Sequence, residues 1–124
     1  MQESEVNFMA EYKGKLFGLN KKSSSVEVGE ATVGVGTHIA SKAFTTLPKA
    51  ISVSSGVVAN NNQFIVGNVY FENGSVISNV SLIYMAGAST THLPVSASLA
   101  GNTLSLQLGS SAFDGEKLRF IEFY

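Results

Sequence analysis

The chain has 124 residues, of which 44% are hydrophobic and 14% charged, with a formal net charge of −1. This length and composition predict a single domain, residues 1–124, that buries a sizeable core. A near-neutral chain lacks the positive field that attracts phosphate backbones, so nucleic acid is not expected as a partner. The sequence contains no cysteine, which excludes disulfides, thiolate chemistry and zinc sites with sulfur ligands.

The amino-terminal segment carries no signal for export or membrane insertion. Its first five residues are acidic and polar, unlike a secretory signal. The longest apolar runs span about seven residues, whereas a membrane-spanning helix needs roughly 20. Residues 1–12 are interpreted as a connector or an amino-terminal strand. Apolar residues alternate there at Val6, Phe8, Ala10 and Tyr12, although Val6, Met9, Ala10 and Lys13 also follow helical spacing.

Residues 26–54 are predicted to hold short strands separated by turns. In residues 26–35 the valines change from even to odd positions around Gly29, and a glycine at such a change suggests a bulge or a bend between sheets. Residues 36–48 are predicted to be a loop with a short strand around Ala43-Phe44. Residues 49–54 are predicted to be a strand, because apolar and small polar residues alternate there.

The strongest local signal is the pair Asn73-Gly74. Two apolar segments, residues 63–71 and 76–86, flank this pair on either side. Asn-Gly supplies the two positive-φ residues that a tight type I′ turn requires. We therefore predict a hairpin whose two arms are the longest strands of the chain.

The carboxy-terminal part continues the β pattern. Residues 87–92 are predicted to form a polar loop closed by Pro94, and Asp114-Gly115 is predicted to turn the chain into a last strand at residues 118–124. Alternation typical of strands with one buried face occurs at Val95, Ala97 and Leu99 and at Leu104, Leu106 and Leu108. Together these segments predict an all-β fold, an antiparallel two-sheet β-sandwich of jelly-roll-like type with about eight or nine strands.

Two of the predicted strands are apolar on both faces. In residues 64–71 and 118–124, hydrophobic side chains occupy even and odd positions alike. A strand of a two-layer sandwich has one face in the core, so its second apolar face needs another cover. We expect that cover to be an identical subunit in a cyclic oligomer. The expected interface residues are Phe64, Tyr70, Phe71, Phe120, Phe123 and Tyr124.

The sequence offers little for catalysis or metal binding. His38 and His92 lie in separate polar stretches, and two imidazoles without a third ligand do not make a zinc site. The single aspartate, Asp114, belongs to a turn, and no Gly-X-Ser-X-Gly elbow surrounds a serine. The glutamates are interpreted as solvated strand-edge residues rather than a glycosidase pair; the candidates are Glu27, Glu30, Glu72, Glu116 and Glu122. We expect no enzyme activity, no cofactor and no metal site.

Two predicted loops have a composition suited to binding a sugar. Asparagine amides both donate to and accept from hydroxyl groups, although ordinary connecting loops share this composition. A sugar site generally also needs an aromatic face, which in the absence of tryptophan would be Tyr12, Tyr70 or Tyr84. The candidate ligand-binding residues are Asn60, Asn61 and Asn62 in the first loop and Ser89, Thr90, Thr91 and His92 in the second.

The segment Ala43–Ser54, with the sequence AFTTLPKAISVS, resembles part of the carboxy-terminal tips of bacteriophage tail fibres. In such tips an aromatic residue and a short loop precede Pro-Lys and an apolar strand. The Ser-, Thr-, Gly- and Asn-rich composition, the lack of cysteine and the strand that runs to Tyr124 are also similar. The resemblance covers residues 31–124. It implies a trimeric β-sandwich at the end of a fibre that recognises a bacterial surface glycan or protein, and it carries over no binding residue.

These observations favour a viral structural protein that acts as a receptor-binding or adhesin tip without catalysis. We expect it to form a homotrimer, to bind a glycan or protein of the host cell surface, and to reside in the virion or outside the cell after lysis. Two alternatives stay open. One is a virion assembly component, such as a capsid decoration or baseplate protein. The other is a bacterial carbohydrate-binding module, against which the missing tryptophan and secretion signal argue.

Overall fold

The computed structural model describes residues 24–56 and 62–124. The interpretation of residues 1–12 lies outside the described residues, as do the candidate ligand residues Asn60 and Asn61. The described part is nearly all β and forms two antiparallel sheets, which confirms the predicted β-sandwich. Within that part, no helix has the length and apolar character needed to cross a membrane.

The two sheets of the sandwich differ in size. Its strands in the described residues are β1 (Val26–Thr32), β2 (Ile39–Ala43), β3 (Ala50–Ser54), β4 (Gln63–Glu72), β5 (Ser75–Ser78), β6 (Ser81–Ala86), β7 (Ser89–Pro94), β8 (Ser96–Ala100), β9 (Thr103–Gln107) and β10 (Lys117–Phe123). The larger, seven-stranded sheet has the order β1-β10-β3-β4-β6-β7, with β5 also pairing with β4. The smaller, three-stranded sheet has the order β2-β9-β8. A short 3-10 turn at Ser111–Phe113 precedes β10.

The hydrophobic core lies between the two sheets. Leu104 and Leu106 of β9, and Leu108 just after it, are fully buried, so the predicted alternation of this strand is confirmed. Leu118 and Phe120 of β10 are buried in the same core cluster. Burial of each such side chain contributes about 1.5–3 kcal/mol, which makes these strands a large part of the fold's stability.

The predicted hairpin at Asn73-Gly74 is confirmed. Both residues have positive φ angles, 52° and 78°, as a type I′ turn requires. Strand β4 pairs with β5 from Glu72–Ser75 and then with β6 up to Gln63–Tyr84 in one constant register. Strands β5 and β6 therefore continue one another along β4. The first predicted arm, β4, is the longest described strand, but the second is divided into two strands of four and six residues.

Strand β1 differs from the prediction, because it has no bulge at Gly29. It pairs with β10 in unbroken register from Val26 to Thr32. Val26 and Val28 are exposed, whereas Ala31 is buried, so even positions face outward throughout. The valines change from even to odd positions because Val26 and Val28 belong to a partly apolar outer surface, whereas Val33 is buried. The glycine at position 29 has a separate explanation. A Cβ at position 29 would overlap the Lys42 and Glu122 side chains beneath it.

Two segments predicted as loops are strands. Strand β2 occupies part of residues 36–48 and pairs along its whole length with β9; its apolar alternation is interrupted by Lys42, whose side chain is half-buried. Strand β7 occupies residues predicted as a polar loop and pairs along its whole length with β6. All six residues of β7 are exposed, so the strand buries no face that its sequence could reveal.

The two ends of the sandwich differ in what they carry. At one end, which we call the base, Val26 pairs with Phe123 and the Lys49 N–H donates to the Phe123 carbonyl. At the other, which we call the loop end, lie residues 33–38, 86–89 and 108–116, and hydrogen bonds join the first and third of these segments. The described chain therefore enters at the base, where the connections at residues 44–49, 73–74 and 101–102 also lie. The three loop-end segments lie about one strand length away.

Candidate functional site

The outer face of the larger sheet carries an exposed apolar row at its base. Cross-strand pairing places five residues side by side on five strands: Val26, Phe123, Ala50, Tyr70 and Ile77. Val26 is 62% exposed, Ile77 60%, Tyr70 46% and Phe123 41%. At about 4.8 Å per strand the row is about 19 Å long. Contiguous exposed apolar surfaces of this kind are typical of interaction sites.

Further apolar residues extend this surface away from the base. Val28 is 69% exposed and pairs with Ile121 in the next row toward the loop end, and Val66 of β4 is 45% exposed. We call this set, together with the apolar row, the apolar outer face. Its position explains why two strands are hydrophobic on both sides: one face fills the core and the other forms this surface.

The predicted interface residues divide between the two sides of the sheet. Phe64, Tyr70 and Phe123 lie on the outer side, where Tyr70 and Phe123 are exposed and Phe64 is half-buried. The prediction for Phe71 and Phe120 is corrected. Phe71 packs against the core, with its ring centroid 5.9 Å from that of Phe44, and Phe120 is 1% exposed inside the core.

The parity of each strand is the physical reason for this correction. Phe71 shares odd parity with the buried Ile65 and Val69, and Phe120 shares even parity with the buried Leu118. Tyr124 follows β10 on the inner side at the base, half-buried, and its hydroxyl donates to Glu122 Oε1 at 3.2 Å. These three side chains are thus occupied within the subunit.

A charged cluster joins the two sheets near the base. Lys42 Nζ of the smaller sheet lies 2.6 Å from Glu122 Oε2 of the larger one, and Lys42 also lies 5.3 Å from the centroid of the Phe44 ring. Burial, and then the negative charge of Glu122, raise the pKa of Tyr124 to about 12. The Lys42–Glu122 ion pair links the two sheets. Lys42, Glu122 and Tyr124 each have a partner within the cluster.

The loop end contains a second polar pair that the sequence analysis did not foresee. His38 Nδ1 lies 2.7 Å from Asp114 Oδ1, and the Gly36 N–H donates to Asp114 Oδ2 at 3.1 Å. The hydrogen bond with His38, and then the one from Gly36, lower the pKa of Asp114 below 3.8. His38 is thus paired with Asp114 and not with His92, so the two loop segments are fastened to each other.

The His38–Asp114 pair lacks the third member of a catalytic triad. In residues 24–56 and 62–124, no serine or threonine hydroxyl forms a hydrogen bond with the His38 ring. No group of three or more metal-ligating side chains occurs in that part of the chain either. The pair holds the 33–38 loop against the turn that begins β10. The two residues are far apart in sequence, and no local pattern marks them as partners.

Asn62, the described candidate of the first predicted loop, lies beside the β6–β7 hairpin at the loop end. The carbonyl of Asn62 accepts a hydrogen bond from the Met85 N–H at 3.0 Å, which joins the end of the first loop to the β6–β7 hairpin. Tyr84 stands between Gln63 and Thr91 in cross-strand register and is 39% exposed. Tyr84 therefore lies between the strand that begins just after Asn62 and strand β7, a placement that the sequence alone did not provide.

The remaining candidate residues lie on β7. Ser89 and Thr90 pair with Ala86 and Met85 near the hairpin tip, and His92 pairs with Ile83 farther along the strand. All of these β7 residues are exposed. Because side chains alternate along a strand, Ser89 and Thr91 lie on the same face of the sheet as Tyr84, whereas Thr90 and His92 lie on the opposite face.

Comparison of the chain with family models, with curated proteins and with solved structures finds no match.

Proposed function

We propose that this protein is a non-catalytic recognition domain that self-associates through its apolar outer face and binds a cell-surface glycan at its loop end. The observation that carries the proposal is the division of the surface. The exposed apolar row lies at the base, whereas Tyr84, Asn62 and the β6–β7 hairpin lie at the loop end. A receptor-binding tip of a phage tail fibre needs the same division, with its subunits joined along their sides and its loops free.

The apolar outer face supports self-association. Exposed Val26, Phe123, Tyr70 and Ile77 form a nearly continuous hydrophobic row, and identical chains cover such a surface most simply in a closed cyclic assembly. The resemblance to fibre tips favours three subunits. The second candidate, a virion assembly component, rests on this same surface and differs in having no ligand at the loop end.

The composition of the loop end supports glycan binding. Residues 73–113 contain no Asp, Glu, Lys or Arg, so the β6–β7 hairpin presents only uncharged donors and acceptors around Tyr84. Sugar rings bind to aromatic faces and to hydroxyl and amide groups, and tyrosine offers an apolar face with a polar tip. Gln63 and Thr91, on the two neighbouring strands, place an amide and a hydroxyl beside that ring.

The first test is the mass of the protein in solution. Light scattering should report about three times the 13.1 kDa chain mass, and Tyr70→Glu should reduce it to that of one chain, because a charge in the centre of the apolar row cannot be buried without a partner. The far-UV circular dichroism spectrum should not change, since Tyr70 is exposed. Val35→Glu, which alters an even more exposed apolar residue at the loop end, is the control. A wild-type monomer at high concentration would refute self-association.

The second test is a glycan array. The wild-type protein should be retained on a subset of glycans, and Tyr84→Ala should weaken that retention by about tenfold, the effect of losing one stacked aromatic of roughly 1–1.5 kcal/mol. Leu93→Ala, on the neighbouring strand and similarly exposed, should bind as the wild type does. An array without selective retention, together with tight assembly of the protein, would favour the virion assembly role instead.

A further inference from the structure

The outer face has a depression toward its loop end, separate from the apolar row. Its volume is about 400 Å³, within the range of small-ligand sites. The middle of β1, the start of β10 and the end of β3 line it. Its polar side chains are Glu30, Lys117, Arg119, Ser54 and Ser55. Arg119 and Phe123 are four residues apart on β10, so Arg119 lies about 13 Å from the apolar row. Val28, which belongs to the apolar outer face, lines the side of the depression toward the base. An assembly built on that row leaves the depression at its rim.

The charges of the depression leave one cation without a partner. Lys117 Nζ lies 3.1 Å from Glu30 Oε2, and both side chains are well exposed. Arg119, the single arginine of the chain, stands between Glu30 and Ser54 in cross-strand register. In the described residues its guanidinium forms neither an ion pair nor a hydrogen bond. The site therefore has a local charge of +1 on a chain whose net charge is −1.

The hydroxyl groups on the β3 side differ in their availability. Ser55 Oγ accepts from the Ile65 N–H at 2.7 Å and donates to the Gly56 carbonyl at 3.0 Å, so it is fully engaged. Ser54, whose hydroxyl has no partner among the described residues, pairs directly with Arg119. Gly56 follows Ser55 on the β3 side of the depression and has no side chain. Nothing lies within 4 Å of where its Cβ would be, so the depression is open to solvent there.

We infer that this depression binds the carboxylate of an acidic sugar, with Arg119 as its anchor; the inference rests on the proposed recognition of a glycan and names its chemical class. The planar guanidinium fork matches a carboxylate with two parallel hydrogen bonds. A single positive charge suits a monoanion, whereas a phosphate dianion would be repelled by Glu30. The Glu30 carboxylate and the Ser54 hydroxyl accept hydrogen bonds from sugar hydroxyls, so the site fits a uronic acid better than a simple carboxylate.

The test compares two matched probes, methyl glucuronide and methyl glucoside, which differ only in the carboxylate. Each is titrated into the isotope-labelled full chain, and binding is followed by amide chemical shifts. The glucuronide should bind with shifts centred on β10 and β3, and the glucoside should bind at least about tenfold more weakly, the effect of losing charge-assisted hydrogen bonds. Arg119→Gln should weaken glucuronide binding to the level of the glucoside, and Arg119→Lys should restore only part of it, because an ammonium lacks the fork.

Lys49→Gln, which removes an exposed positive charge at the base, is the control for a general electrostatic effect and should leave glucuronide binding unchanged. Equal binding of both probes, or glucuronide binding that survives Arg119→Gln, would overturn the inference. If the array retains neutral glycans in a Tyr84-dependent manner while the glucuronide does not bind, the proposed function stands and this inference falls. A blank array together with Arg119-dependent glucuronide binding would support this inference and refute glycan binding at Tyr84.

Discussion

Lys42→Met is expected to lower the free energy of unfolding by about 3 kcal/mol. Lys42 Nζ lies 2.6 Å from Glu122 Oε2 between the two sheets, and the Glu122 side chain is only 4% exposed. Methionine retains the apolar stem of the lysine but removes its charge. The Glu122 carboxylate is then left buried without its ion-pair partner, and an uncompensated buried charge is costly. Urea unfolding at pH 7, followed by far-UV circular dichroism, measures the loss.

Two further variants make this experiment specific. Lys49→Met removes an exposed lysine at the base and should change the free energy of unfolding by less than about 0.5 kcal/mol. The double variant Lys42→Met/Glu122→Leu should recover most of the lost stability, because apolar residues of similar size often replace a buried ion pair without loss. An unchanged urea midpoint for Lys42→Met would show that Glu122 does not depend on this lysine.

The ion pair also shows why some features of the fold were accessible from sequence and others were not. The Asn73-Gly74 hairpin and the alternation in β9 follow from residues close together in the chain, so local rules predicted both correctly. Lys42 and Glu122 are 80 residues apart, and only the packing of one sheet on the other brings them together. Gly29 was therefore attributed to a bulge or a bend between sheets, although it is the ion pair beneath it that leaves no room for a side chain.

The candidate sites follow the same division between local and long-range information. Sequence parity showed that β4 and β10 are apolar on both sides, but the side that faces the core depends on which strands pair and which sheet lies beneath. Phe71 and Phe120 were therefore assigned to an interface although both pack in the core. His38 and Asp114, which are 76 residues apart, were each interpreted singly for the same reason. Strand β7 was predicted as a loop because neither of its faces is buried, so its sequence shows no apolar alternation.

Gly67→Ala is expected to destabilise the protein by about 2–4 kcal/mol. Gly67 lies in the middle of β4 with a φ angle of 154°, in a region that residues with a Cβ rarely adopt. It stands opposite the junction of β5 and β6, where a Cβ would lie 2.5 Å from the Val80 Cα and 2.7 Å from the Asn79 carbonyl oxygen. Both neighbours are backbone atoms, so the contact can be relieved only by moving a strand.

The backbone origin of this contact gives the experiment its decisive control. Gly109→Ala, at a position with nothing within 4 Å of the added Cβ, should be neutral to within about 0.5 kcal/mol. Combining Gly67→Ala with Val80→Ala should not restore stability, because the clash is with the Val80 Cα and the second change leaves a small cavity. Urea unfolding of the three variants measures these differences. Recovery in the double variant would place the conflict in the Val80 side chain, and near-wild-type stability of Gly67→Ala would contradict the close approach of the two strands.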